Sequence, residues 1–310
     1  MNDTTPSLHR FLAPRHWPMW FGLGVLRLCA LLPYPLLLLL GNALGLLMYV
    51  MAPYRRHIAR VNLRLCFPDQ DEAAREKLVR ATFRSAGIAV FENALSWWGS
   101  DRRMRKLYRI EGLQHFQAAN ALGRGVILLG SHYTTLEISG RFLAYHVACL
   151  QPIYKRAHNP LYEAVMVRMR KKRFDDLLRS TDMRTIVRNV KAGNTVWYAP
   201  DQDFGHDRSV FAPFFGVPTA TLTTTARLAK LTGAPVLPFV SERLPGMQGY
   251  RITLRPALED FPSGDDLCDA SRINALLEQE VRTMPAQYLW IHRRFKTRPE
   301  GEPRRYRRRR

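Results

Sequence analysis

Acidic side chains are scarce in this sequence: 26 aspartates and glutamates stand against 47 lysines and arginines in 310 residues, a formal charge of +21. So one-sided a field selects anionic partners: lipid headgroups, phosphorylated substrates, an acidic carrier protein or nucleic acid. Cysteine is also sparse. Cys29, Cys66, Cys149 and Cys268 are scattered with no CxxC pair, which excludes a disulfide framework and a cysteine zinc site and fits a reducing compartment. Cys149 falls inside a strand candidate and reads as a buried, inert thiol. Common catalytic signatures are missing too. Gly123 and Gly125 precede an apolar run instead of following one, so GRGVIL is no dinucleotide loop, and there is no GxSxG elbow and no HExxH. Without a nucleic-acid module or an alternation of aromatic and basic residues, no nucleic-acid partner is expected.

Charge is absent altogether from Leu28 to Ala52, a stretch longer than the roughly 20 residues that span a bilayer. Pro33 and Pro35 break it, so it is expected to kink or to lie partly in the interface. No AxA-like cleavage site is evident, so the segment reads as an anchor. Arg55, Arg56, Arg60 and Arg64 follow at once and place the downstream body on the cytoplasmic side. The segment before it, Met1 to Pro18, is polar and expected to fray. Arg60 to Leu107 is expected to be helical, opening at Asp69 and Asp71 and closing on Trp97 and Trp98, which suit either a headgroup region or a core.

Beyond Ile110 the texture alternates. Strand candidates are 126–129, 149–154, 195–199, 236–240 and 250–254, and helices are expected over 136–146, 160–173, 185–191, 221–231 and 267–284. Strand and helix in turn predict an α/β fold, a mixed central sheet flanked by helices behind an N-terminal hydrophobic anchor helix. The expected division is a tail and anchor over 1–54, an α/β domain over 55–297 and a basic tail over 298–310. Ten basic residues between Arg293 and Arg310 make that tail too charged to pack, either solvated or held to an anionic membrane surface.

Chemistry concentrates at the strand ends. Gly130-Ser131-His132, Lys155-Arg156 and Pro200-Asp201-Gln202-Asp203 each follow a strand candidate, where α/β sheets bind ligands. His132 and Glu137 converge if a helix starts between them, and an imidazole steadied by a carboxylate can deprotonate a hydroxyl near pH 7. The run Arg168, Arg170, Lys171, Lys172 and Arg173 reads as a solvated helix face or a surface for an anionic partner. Phe204, Phe211, Phe214, Phe215 and Val217 could wall an acyl channel.

Five blocks in order carry a resemblance: HYTTLE at His132 to Glu137, YKRAHNP at Tyr154 to Pro160, WYAPDQDFG at Trp197 to Gly205, the run from Phe211 to Phe239, and YLWIHRRFKTRP at Tyr288 to Pro299. Together they resemble the late (lauroyl/myristoyl) acyltransferases of lipid A biosynthesis, within the glycerolipid and lysophospholipid acyltransferase superfamily. The resemblance implies an O-acyltransferase at the bacterial inner membrane that moves a fatty acyl chain from acyl carrier protein to a hydroxyl of a lipid A precursor. His132 would be the general base and Glu137 its partner, and Lys155, Arg156, Asn159, Asp201, Gln202 and Asp203 would bind substrate. Lys155 departs from the arginine common in relatives. The resemblance implies no cofactor and no metal, the carrier thioester being co-substrate, and inner-membrane lipids as partners. An acceptor such as a lysophospholipid, an ornithine lipid or another glycolipid is the alternative within the same chemistry, and a basic membrane-tethered binding protein is the alternative outside it.

Overall fold

The computed structural model describes residues 7–307, so residues 1–6 and 308–310, the ends of both expected tails, lie outside the described residues. The N-terminal part is helical: α1 (Trp17–Cys29), α2 (Tyr34–Met51), α3 (Pro53–Cys66), α4 (Glu72–Trp98) and α5 (Asp101–Met104). Strands and helices then alternate through β1 (Tyr108–Glu111), α6 (Leu113–Asn120), β2 (Val126–Leu129), α7 (Leu136–Leu143), β3 (Leu150–Tyr154), α8 (Pro160–Arg170), β4 (Leu178–Arg179), α9 (Met183–Lys191) and β5 (Thr195–Tyr198). The chain continues through β6 (Ser209–Phe214), β7 (Val217–Leu222), α10 (Thr224–Thr232), β8 (Val236–Arg243), β9 (Tyr250–Leu254) and α11 (Asp266–Thr283).

The central sheet has the order β1-β9-β8-β2-β5-β3-β4. Its neighbours pair in parallel except β8 with β9, a short antiparallel connection. The expected mixed sheet is therefore present. The burial pattern of β2 explains its unbroken apolar run: Val126 and Leu128 face one core cluster with Phe142 and Phe239, whereas Ile127 and Leu129 face another with Val190 and Leu228. A strand covered on both faces has no polar side to show.

Three segments missed by the strand expectations are β1, the two-residue β4 and the β6–β7 hairpin. The hairpin turns through Phe215 and Gly216, both at positive φ (51° and 72°), the backbone that a two-residue turn requires. Phe214 and Phe215 sit in a buried cluster with Tyr288, Trp290 and Phe295. They and Val217 are core residues, a correction to the expectation that they wall an acyl channel. Cys149 is exposed at positive φ just before β3, because the strand starts one residue later than its apolar run suggests.

The apolar N-terminal run breaks at Pro33 as expected, since proline suits the first turn of a new helix and not the interior of an old one. The new helix, α2, is 18 residues long and apolar enough to cross a membrane by length and composition. Residues 7–18 do not fray as expected: Phe11 is buried, packing with Trp20 and α8. The long helical stretch ends α3 at Cys66 and restarts α4 at Asp71, whose carboxylate accepts from the Ala74 N–H at 2.6 Å, an N-cap.

Helices α2 and α4 cross at glycines. A Cβ on Gly87 would lie 2.3 Å from the Gly41 carbonyl oxygen and the Gly45 nitrogen, so the backbones touch where side chains would stand. Gly87→Ala is expected to separate the two helices and destabilise the protein by about 1–3 kcal/mol or more, measured as a fall in thermal midpoint. Deeper in, the Arg243 guanidinium on β8 forks onto the Glu92 carboxylate of α4 at 2.6 Å on both arms, and the Tyr250 hydroxyl donates to the same carboxylate at 2.5 Å. Arg243 also donates to the Ser85 hydroxyl, which is 2.7 Å from that of Thr134. The N-terminal helices are thus tied by buried charge to the sheet and to the loop after β2.

Candidate active site

Strands β2 and β5 are parallel neighbours in the register Leu129↔Tyr198. His132 lies three residues beyond Leu129 and Asp201 three beyond Tyr198, so matched offsets on adjacent strands bring the two side chains together. The His132 Nδ1 is 2.6 Å from Asp201 Oδ1, and the His132 backbone N–H donates to Oδ2 at 3.0 Å. Asp201 is buried, while the His132 side chain stays 23% exposed. A carboxylate on Nδ1 assigns the proton there and leaves Nε2 free to accept. Burial by itself would raise the Asp201 carboxyl, but the His132 charge and its two N–H donors outweigh it and hold the carboxyl down at about 2.

The loop is clamped on its other side by the YLW block. Thr134 N–H donates to the Gln287 carbonyl at 2.8 Å, Leu289 N–H donates to the His132 carbonyl at 3.1 Å, and Tyr133 bridges Tyr288. The next turn brings a second imidazole, His292. Burial, then the nearby His132, push it down to about 4, so it is neutral near pH 7.

Glu137 does not hold His132, a correction to the expected pair. A helix does start between them, at Leu136, but the Glu137 carboxylate points at α4 and α8. Its Oε1 accepts from the Trp97 indole at 2.7 Å and from Arg170 Nε at 3.1 Å, and its Oε2 accepts from Arg170 Nη2 at 2.5 Å. Burial raises this carboxyl, yet the Arg170 charge and the donors from Arg170 and Trp97 bring it below the ordinary value. Arg170 is accordingly no part of a solvated patch: its side chain is 17% exposed. Sequence spacing gave no sign of Arg170 or Trp97, since they meet Glu137 from helices 33 and 40 residues away.

His132, Glu137 and Arg170 nevertheless line one cavity of about 320 Å³, walled by Leu136, Ile153, Met166, Phe174, Trp197 and Phe204. A second cavity of about 450 Å³ shares Ile153, Lys155, Ser180, Tyr198 and Phe204 with the first. The two read as one long apolar slot with the free edge of the imidazole at its wall. Of the other expected binding residues, Lys155 lines both cavities and Gln202 lines the first. Arg156 is exposed and lines neither cavity. Asn159 caps α8, accepting from the Tyr162 N–H at 3.0 Å. Asp203 is turned inward, accepting from Thr297 N–H at 2.6 Å, Thr297 Oγ1 at 2.7 Å and Gly205 N–H at 3.1 Å. Residues 297 and 203 thus hold the loop that delivers Asp201.

An imidazole oriented by a buried carboxylate, at the carboxyl ends of parallel strands and open to an apolar slot, is an arrangement chemically suited to base-assisted transfer of greasy groups. The chain belongs to the bacterial lipid A biosynthesis acyltransferases, whose family model matches residues 5–297. It is 41% identical over 296 residues to the lipid A biosynthesis palmitoleoyltransferase of Escherichia coli K12, covering 94% of this chain and 95% of that protein. It is 38% identical over 296 residues to the lauroyltransferase of the same organism, covering 95% and 96%. It is 30% identical over 304 residues to the myristoyltransferase, covering 96% and 93%.

Proposed function

We propose that the protein transfers a fatty acyl chain from a thioester on acyl carrier protein to a hydroxyl of a lipid A precursor, working at the cytoplasmic face of the bacterial inner membrane. The observation that carries the reading is the free Nε2 of His132, held by Asp201 at the wall of the slot. That nitrogen takes the hydroxyl proton as the oxygen attacks the thioester carbonyl, and Asp201 stabilises the imidazolium that forms. Lys155 supplies a cation for the developing oxyanion. When the tetrahedral intermediate collapses, the carbon–sulfur bond breaks and the imidazolium returns the proton to the departing thiolate, leaving an ester and a free thiol.

The exposed apolar surface supports the membrane seat. Phe21, Leu28 and Leu31 of the first helix and its turn, and Leu39, Leu47, Val50 and Met51 of α2, are all more than half exposed, a patch that water disfavours and hydrocarbon accepts. The positive charge of the whole chain suits the acidic carrier.

The test is transfer from acyl carrier protein thioester to a lipid A precursor by purified protein in detergent. His132→Ala is expected to lose about 10²–10⁴ in rate when assayed below its own melting midpoint, where the variant is folded. In cells lacking the protein, lipid A is expected to be lighter by one acyl chain. Near wild-type transfer by the variant, or unchanged lipid A with altered phospholipids, would overturn the reading.

A further inference from the structure

The C-terminal strap contradicts its own composition. Despite its charge it is packed against α3, because Tyr306 is buried with its hydroxyl placed between two partners: it donates to Asn62 Oδ1 at 2.5 Å and accepts from the Phe295 N–H at 2.9 Å. Asn62 in turn donates to the carbonyls of Trp290 at 2.7 Å and His292 at 2.8 Å, and the Arg307 N–H approaches His57 Nε2 at 3.4 Å. The strap is therefore built, with its tyrosine as the peg.

Beside this packing lies an open pocket of about 460 Å³ lined by Arg293, Lys296, Arg304, Arg305, Arg307 and the rings of Tyr54 and Tyr306. Five cations face one space. The acids nearby are committed elsewhere: Asp203, 3.6 Å from Lys296, is held by Thr297 and Gly205, and Glu302, 3.9 Å from Arg305, is engaged by Arg298. Burial and then Arg307, Arg60 and Arg64 push the adjacent His57 below its ordinary value, which reports the same crowding of positive charge. Five cations against two acids that also serve other partners leave a local excess of positive charge, and such conflicts mark functional sites.

We infer that this pocket binds the phosphate monoester of a membrane lipid headgroup. A monoester brings up to two negative charges and three acceptor oxygens, enough to engage several guanidinium groups at once, whereas a diester brings one charge. The lipid source follows from position. Tyr54 in the pocket wall lies three residues after Met51, which closes α2, and Val50 and Met51 are 64% and 72% exposed. With that apolar surface in hydrocarbon, the pocket sits at headgroup depth. Lys296 also reaches toward Asp203, two residues from Asp201, so an occupied pocket braces the loop that orients His132.

The test uses the full-length protein in nonionic micelles doped with phosphatidic acid, phosphatidylglycerol or nothing, with inorganic phosphate as a separate arm, read by thermal unfolding and lipid-binding titration. Phosphatidic acid is expected to raise the midpoint most and to bind more tightly than phosphatidylglycerol. The R304Q/R305Q variant is expected to bind it about tenfold more weakly or worse, and Tyr306→Phe, which unpegs the strap, to weaken it as well. Removing the same charge from α9 with R184Q/R188Q, or the catalytic base with His132→Ala, leaves binding unchanged, so the outcome is independent of the acyl-transfer reading. An equal response to phosphatidylglycerol, an equal response to inorganic phosphate, or full binding by R304Q/R305Q would each overturn the assignment.

Discussion

Asp201→Asn is expected to lower kcat by about 10²–10⁴ while leaving KM for the acyl donor close to wild type, because the loss is in orienting and stabilising a base and not in holding the chain. Asparagine keeps the size of the side chain but can present its amide N–H to Nδ1, which would move the imidazole proton to Nε2 and remove the free lone pair from the slot. The present hydrogen bonds, 2.6 Å from Oδ1 to the ring and 3.0 Å from Oδ2 to the backbone, commit both carboxylate oxygens to His132. A variant as fast as wild type would show that proton transfer runs through another group. The same carboxylate sets an acid limit. Its ordinary value is 3.8 and its folded value about 2. A carboxyl lowered on folding stabilises the native state above its unfolded value and loses that contribution as pH falls through the folded one. Between about pH 4 and pH 2 wild type is therefore expected to lose stability more steeply than Asp201→Asn.

Removing Glu137 is expected to act first on stability. The Arg170–Glu137 pair has side chains only 17% and 11% exposed, and deleting one partner of a buried ion pair strands the other, at about 3–5 kcal/mol. Glu137→Ala should therefore unfold at markedly lower temperature and lose activity with it, since Arg170 and Glu137 line the slot beside His132. Replacing both partners, as in Glu137→Gln with Arg170→Met, is expected to recover much of the midpoint because no unpaired charge remains. Asp201→Asn should keep its kinetic defect when assayed well below its own melting midpoint, where the variant is fully folded. If Glu137→Ala kept the wild-type midpoint and lost activity alone, the carboxylate would be acting on the reaction directly. Thermal unfolding and initial rates measured on the same preparations separate the two.

Much of this architecture was legible from the chain. Apolar runs bounded by polar clusters located β2, β3, β5 and β8 to within a few residues, because a strand covered on both faces must be apolar along its length, and the alternation of YRITL located β9. The break at Pro33 and the start of α4 after Asp71 were legible for equally local reasons. Strand β1, with alternating half-buried and exposed residues at the sheet edge, carries no such run. The β6–β7 hairpin hides its turn behind Phe215, a residue that rarely takes positive φ.

By itself the sequence determined that His132 stands at a strand end, that Asp201 stands at another, and that a basic, apolar-fronted chain with those five blocks belongs to an acyl-transferring family, because each of these depends on residues near one another in the chain. Only the tertiary structure decided which carboxylate the imidazole meets. Glu137 is five residues from His132 and turns away to Arg170 and Trp97, whereas Asp201 is 69 residues away and in contact. The reason is strand register: parallel pairing aligns the ends of β2 and β5, and hydrogen bonds between strands outrank proximity along the backbone. The same holds for the strap, whose charges read as too dense to pack, whether solvated or held to a membrane surface, whereas its tyrosine meets a buried asparagine 244 residues away.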